Sequence, residues 1–372
     1  MPIYWIIYTT ALMALVFQTY QSSSYSTVDG MNLRLPSKWR IYLPILLLLF
    51  FVGLRDEVLD TYAYINSFWE TPNNFDDAVT YAFESGTGLL FYLVQGVFKT
   101  FISENHYVWL TFVAGLSLLC LFKQFRKYSP DYTFSYFLLV SSTTFTWLIN
   151  GMRQFVVACI LFGLSDLIVR KEKKSKYIYI FLIVLLYYAH SSCLFLLPLV
   201  YLCARGKLLD KWMFIIVVTT VIATLYSDSI MGAAADIMNK EYLIVESKGS
   251  NITRLFVSLV PLVLVLPKWK HVKVKASPFM VFSINMSLVG ACFFFAATFT
   301  SGILVGRMPI YFTLYNYILL PWLIKNFYNQ GVVKIACVVF YTFFFYYQMC
   351  VAWHELPYVS EILGIYYRNV LY

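Results

Sequence analysis

The chain has 372 residues, of which 60% are hydrophobic, 20% aromatic and 13% charged, with a net charge of +9. Ordinary globular domains carry about 25% charged residues, so this composition argues against a soluble fold and for an all-α polytopic integral membrane protein. The positive charge is spread over many short loops, so it reads as a topology signal and no nucleic-acid partner is expected.

A membrane-crossing helix needs roughly 20 predominantly apolar residues, and most of the chain divides into such pieces. In chain order, spans are predicted near 2–20, 39–54, 106–124, 132–149, 152–169, 174–190, 191–204, 212–228, 252–268, 279–300, 307–324 and 333–351. That makes about twelve transmembrane helices in a single transmembrane domain over 1–372. The first run, Ile3–Phe17, lacks a basic start and a small-residue cleavage site and is read as a span, not as a secretory signal. Between the second and third spans lies a long loop, 55–105. Within it, Leu89, Leu93, Val97, Phe98 and Phe101 recur at helical spacing, while Gly88, Tyr92, Gln95, Gly96 and Lys99 fill the other face. The pattern predicts an amphipathic helix lying in the membrane interface. The apolar run Tyr177–Cys203 is read as two short spans broken at His190-Ser191-Ser192. Seven cysteines fall mostly inside apolar runs without paired spacing and are read as buried thiols, so no metal site is expected. No cofactor-binding motif is present either.

Six loops, 21–40, 123–131, 170–176, 204–211, 267–275 and 325–334, hold 20 of the 28 Lys and Arg residues. The positive-inside rule places such loops in the cytoplasm. Both termini, the 55–105 loop, a loop at 229–251 and a C-terminal tail, 352–372, then lie outside. The outer face carries 14 of the 19 acids and only eight basic residues. Four of those eight, Arg55, Arg153, Arg254 and Arg307, sit at outer membrane ends, where topology does not account for them.

Each has a local context. In Gly53–Tyr64, a helix puts Asp56 with Asp60, and Asp60 with Tyr64, on shared faces at i, i+4. Crowded acids near a low-dielectric boundary can raise one pKa toward general-base range, and Arg55 beside them can hold a phosphate. The plainer reading is a hydrated acidic turn. In Gly151–Phe155, Arg153 and Gln154 open a span where helix N–H groups point outward, which suits an anion. The plainer reading is a snorkelling arginine or an internal ion pair. His190, at the break between two spans, is either a structural histidine or an acid–base group on the same side as Arg153. Arg254 opens one span, and Arg307, followed by Pro309, opens another. Four guanidiniums suit a pyrophosphate, which arginine binds bidentately. Asp76-Asp77 reads as a polar turn before a helix. Asn251-Ile252-Thr253 matches a glycosylation acceptor by a common tripeptide, and His354-Glu355 carries little alone.

At these residues the chain resembles the EpsG family of bacterial exopolysaccharide proteins, grouped with Wzy-type polysaccharide and O-antigen polymerases. The resemblance rests on Gly53-Leu54-Arg55 with Asp60 and Tyr64, on Gly151-Met152-Arg153-Gln154 with Ala158, on His190-Ser191-Ser192, and on Arg307 with Tyr311. The family pattern often has Gly-Thr-Asp before the tyrosine, where this chain has Val58-Leu59-Asp60. The resemblance implies a glycosyltransferase on the outer face of the bacterial cytoplasmic membrane. It would move a growing glycan from undecaprenyl pyrophosphate onto a lipid-linked repeat unit, with a chain-length regulator as a further partner. It implies Asp60, His190 and Arg153 as catalytic residues. Arg55, Tyr64, Gln154, Arg254, Arg307 and Tyr311 would bind substrate and pyrophosphate. Two readings stand beside it: a lipid-linked oligosaccharide flippase, which would carry its cations in a central cavity, and an O-antigen ligase, which uses the same donor. A membrane acyltransferase has only His190 in its favour.

Overall fold

The computed structural model describes residues 2–17, 25–28, 31–34, 38–227, 249–300, 302, 305–353 and 356–366. Most of the loop expected at 229–251, part of the first basic loop, His354 and Glu355 lie outside them. The fold divides into two units, Met1–Leu197 with Ile335–Tyr372, and Pro198–Lys334.

The first unit is built on helices α1 (Pro2–Phe17), α2 (Lys38–Gly53), α3 (Thr61–Glu70), α4 (Phe75–Glu84), α5 (Leu89–Phe101), α6 (His106–Tyr128), α7 (Tyr132–Ser141), α8 (Met152–Gly163), α9 (Asp166–Val169) and α10 (Lys173–Tyr187). A short antiparallel hairpin, β1 (Tyr25–Val28) and β2 (Met31–Arg34), pairs Tyr25 with Arg34 and Val28 with Met31. All residues of α7 are buried, including Thr133, Ser135 and Ser141. Helices α6 and α8 pack along each other, and their C-terminal ends meet: Lys127 Nζ donates to Asp166 at 2.8 Å, and Arg170 donates to the same carboxylate at 3.2 Å. The two helices therefore run in the same direction with α7 returning between them. This gathers the basic loops 123–131 and 170–176 at one end of the unit. The starts of α6 and α8 lie at the other, with the chain around 54–64.

Helix α5 is amphipathic as expected, but its polar stripe faces protein. Gln95 Nε2 donates to Thr71 Oγ1 at 2.7 Å and to the Ser67 carbonyl at 3.0 Å. Lys99 Nζ donates to the carbonyls of Phe68 at 2.9 Å and Trp69 at 3.0 Å, closing the C-terminal end of α3. The carbonyls at a helix end carry partial negative charge and favour a cation there. Val94, Val97, Phe101 and Ile102 are left exposed on the outer side of this small helical cap.

In the second unit, α11 (Leu196–Cys203) leads into α12 (Lys211–Leu225), followed by α13 (Ile252–Val265), α14 (Trp269–Lys275), α15 (Pro278–Phe299), α16 (Ile310–Thr313) and α17 (Asn316–Phe327). Helix α15 is central, packing on α12, α13 and α17. Its buried Asn285 ties down the 204–211 loop. The amide oxygen accepts from Leu209 N at 3.0 Å, and the amide nitrogen donates to the carbonyls of Cys203 and Lys207 at 3.1 and 2.9 Å. Helix α18 (Gln330–Tyr346) then returns to α1, where Tyr8 stacks on Phe345 and bonds Thr342.

The described residues are predominantly helical, and 5 of the described helices are long and apolar enough to cross a membrane: His106–Tyr128, Met152–Val169, Ile252–Lys275, Pro278–Phe299 and Gln330–Ala352. Six further apolar helices among the described residues are 10–17 residues long, shorter than a full span. The shortening has local causes. Thr143, at φ +61°, ends α7 and starts a 3-10 turn. The expected 307–324 span is divided between α16 and α17. The break expected at His190 is present: α10 stops at Tyr187, His190 is extended, and a 3-10 turn, Ser191–Phe195, precedes α11.

Candidate functional site

The segment after α2 does not continue as a helix. Leu59 takes a φ of +51°, rare for a branched side chain, and α3 begins only at Thr61. Asp56 and Asp60 therefore do not share a helical face, contrary to the spacing argument. Asp60 and Tyr64 keep theirs, with Tyr64 N bonded to the Asp60 carbonyl at 3.3 Å. The two acids separate by role. The Asp56 carboxylate accepts from Tyr107 Oη at 2.5 Å and from Glu361 N at 2.7 Å, and lies 3.8 Å from His106 Nε2. The half-buried Asp60 carboxylate has no hydrogen bond or ion pair among the described residues and does not cap α3.

Arg55 is fully buried. Its guanidinium donates to Thr61 Oγ1 at 2.8 Å and to the Val52 carbonyl, and its third nitrogen lies 3.9 Å from Met152 Sδ. No carboxylate is within ion-pair distance among the described residues. Burial pulls the guanidinium down to about 10, opposed by the phenols of Tyr358, Tyr64 and Tyr4. Arg55 thus stays charged at neutral pH, enclosed by groups that anchor α2, α3 and α8 to one another. A phosphate would reach it only by opening those contacts.

The enclosure is completed from a distance in sequence. Residues 356–366 fold back over this corner. Asp56 N donates to the Val359 carbonyl at 2.9 Å, and Val359 N donates to the Glu57 carbonyl at 3.1 Å. Tyr358 Oη donates to the Phe51 carbonyl at 2.6 Å, and Ser360 Oγ donates to the Leu54 carbonyl. Burial pushes the Tyr358 phenol up to about 12, with Arg55 opposing.

A second group of residues forms around the start of α8. Gly151, at φ +75°, turns the chain into the helix. The half-buried Tyr64 presents its phenol oxygen to the N–H groups of Met152 and Arg153. Burial raises this phenol; the Arg153 charge opposes the rise and Asp60 adds to it. The Arg153 guanidinium donates to Tyr92 Oη at 3.4 Å and lies over the rings of Tyr92 and Phe91, 5.6 and 5.9 Å from their centroids. Gln154, almost fully buried, donates to Ser192 Oγ at 3.4 Å, and Ser192 Oγ pairs with His190 Nδ1 at 2.8 Å. The start of α5 joins the same group: Leu90 N donates to the Tyr188 carbonyl at 2.9 Å. Asp60, Tyr64, Arg153, Gln154, Ser192 and His190 thus form one connected cluster at the end of the unit away from its basic loops. A cation, a carboxylate and an imidazole are what anion binding and proton transfer require.

Sequence reasoning assigned Gly88 and Tyr92 only to the polar face of a surface helix. In the structure they contact Arg153. Their one signal was a glycine opening an amphipathic helix. Nothing local marked Tyr358–Ser360, since their partners lie some 300 residues away.

The remaining candidates belong to the second unit. Arg254 is half-buried in the first turn of α13, which Asn251 caps by accepting from Thr253 N at 3.0 Å. That role accounts for the Asn251-Ile252-Thr253 tripeptide. Arg307 is exposed at the end of the 3-10 turn Val305–Arg307, and Tyr311, in α16, is buried. Asn74 caps α4 by accepting from Asp76 N at 3.1 Å, which puts Asp76 and Asp77 in the first turn of that helix.

No curated protein and no solved structure matches the chain. The EpsG family pattern matches residues 38–360, which hold every candidate residue above. The chain belongs to the EpsG family, a Wzy-like polymerase family.

Proposed function

We propose that the protein is a polysaccharide polymerase of the bacterial cytoplasmic membrane. It transfers a growing glycan from undecaprenyl pyrophosphate onto the end of a lipid-linked repeat unit, on the outer face. The observation that carries this reading is the cluster at the start of α8, which unites the first three family motifs in one place.

In this mechanism the Arg153 guanidinium receives the donor's pyrophosphate, while Tyr64 occupies the first N–H groups of α8. Asp60 takes the proton from the acceptor hydroxyl, because its carboxylate is free of the bonds that occupy Asp56. The acceptor oxygen attacks the anomeric carbon, the bond from that carbon to the pyrophosphate oxygen breaks, and polyprenyl pyrophosphate leaves as an anion. A positioned base contributes about 10²–10⁴-fold. His190, held by Ser192 and Gln154, is the second candidate for the proton. Arg55 is a positioning residue that fixes the start of α3, and with it Asp60. Arg254 and Arg307 bind a lipid-linked pyrophosphate within the second unit. About twelve spans, basic loops inside and both termini outside complete the topology.

The test is reconstitution. Purified protein in nanodiscs is given a polyprenyl-diphosphate-linked repeat unit, and products are resolved by mass spectrometry. Glycolipids of two or more repeats with release of polyprenyl diphosphate are expected, and Arg153→Ala should abolish them. Wild-type-like extension by Arg153→Ala would overturn the assignment.

A further inference from the structure

The second unit holds a cavity of about 380 Å³ between α12 and α15. On α12 its wall runs from Ile215 to Thr224, and on α15 from Val289 to Ala296, so it is a slot along both helices. Nine rises of about 1.5 Å, from Ile215 to Thr224, give the α12 wall a length of about 14 Å. Most of the wall is hydrocarbon, and three of its hydroxyls are already engaged. Thr220 donates to the Ile216 carbonyl at 2.8 Å, Thr224 to the Thr220 carbonyl at 2.8 Å, and Thr300 to the Ala296 carbonyl at 2.7 Å. A hydroxyl bonded to its own helix offers a ligand mainly its methyl group. The slot is therefore built for an apolar chain and not for a sugar.

One end has different chemistry. Val305 lines the slot and opens the 3-10 turn that ends, two residues later, in the exposed Arg307. An apolar slot with an arginine two residues beyond its lining matches an amphiphile with a long hydrocarbon chain and an anionic head. We propose that this slot holds the isoprenoid chain of a polyprenyl diphosphate, with Arg307 at its diphosphate end. The proposal rests on the polymerase reading and adds the place where the carrier's hydrocarbon sits. The cavity volume falls within the usual 300–1,000 Å³ of ligand sites, enough for the head-proximal part of the chain while the remainder stays in the bilayer.

The experiment is photolabelling of the full-length protein in nanodiscs with a polyprenyl diphosphate carrying a diazirine in its first isoprene units. Adducts are located by peptide mass spectrometry. They are expected at Ala223, Val289 or Ala296, displaced by unlabelled undecaprenyl diphosphate and not by phosphatidylglycerol. Ala223→Phe fills the slot and should cut labelling at least tenfold; Ala296→Leu, a smaller change, keeps the test valid should the larger side chain prevent folding. Arg307→Gln should weaken capture of the diphosphate probe while leaving a neutral polyprenol probe unaffected. Adducts elsewhere, or equal displacement by phosphatidylglycerol, would overturn the proposal without touching the polymerase reading. Slot labelling in a protein that extends no glycan would leave the slot standing and remove the polymerase.

Discussion

Replacing Gly88 with alanine tests whether Arg153 must stand where it does. A Cβ at position 88 would meet Arg153 Nη1 at 2.8 Å, and contact becomes ordinary at 3.4 Å, so the guanidinium must retreat by about 0.6 Å. Position 88 also has a φ of +85°, where alanine costs about 1–2 kcal/mol over glycine. Gly86 separates the two effects. Its φ is +67°, but an added Cβ there meets nothing within 4 Å. Gly86→Ala therefore carries a similar backbone cost and leaves Arg153 in place. Misplacing a catalytic group by 1 Å can cost about 100-fold, so a 0.6 Å shift should cost on the order of tenfold. The assay is the rate of glycan extension in nanodiscs beside thermal unfolding of both variants. The two should lose similar stability, and only Gly88→Ala should lose about tenfold in rate. Equal rates for the two variants would refute the role given to Arg153's position.

Other expectations follow from the same geometry. Asp60→Asn should fold like the wild type and lose about 10²–10⁴-fold in rate, whereas Asp56→Asn should lose stability first; a rate collapse in Asp56→Asn at unchanged stability would reverse the two roles. Lys99→Met leaves the carbonyls of Phe68 and Trp69 without their ammonium partner, and should cost about 1–3 kcal/mol in thermal unfolding; an unchanged melting temperature would contradict its part in holding α3. Tyr358 has a folded-state pKa above its unfolded value, so its stabilisation is complete below pH 10 and is lost as pH rises toward about 12. Melting temperatures at pH 9 and 11 should therefore fall further for the wild type than for Tyr358→Phe, and parallel losses would show that the phenol is not held as described.

The parts of the site that depend on neighbours in sequence were legible beforehand. Gly151 followed by an apolar run marks the start of α8, and His190-Ser191-Ser192 marks a real break. The parts that depend on distant chain were not. Whether Arg55 is exposed or enclosed is decided by Tyr358 and Ser360, and whether Asp56 or Asp60 is the free acid is decided by Tyr107 and Glu361. The error at Gly53–Tyr64 came from assuming helix where Leu59 adopts positive φ. For α5, periodicity identified two faces but not what each meets: Gln95 and Lys99 turn toward α3, while Val97 and Phe101 turn outward. The turns at Thr143 and between α16 and α17 divide apolar stretches in a way that composition does not register.

The most direct test of the central claim is to delete the gene in its native bacterium, restore it as wild type or as Arg153→Ala, and resolve the surface polysaccharide on a gel. The account expects a full ladder with the wild-type gene and a single-repeat band with no ladder in both the deletion and the Arg153→Ala strain. A full ladder from Arg153→Ala would contradict it. So would a deletion strain that traps lipid-linked repeats inside the cell, as loss of a flippase would, or that leaves full-length chains on the lipid carrier, as loss of a ligase would.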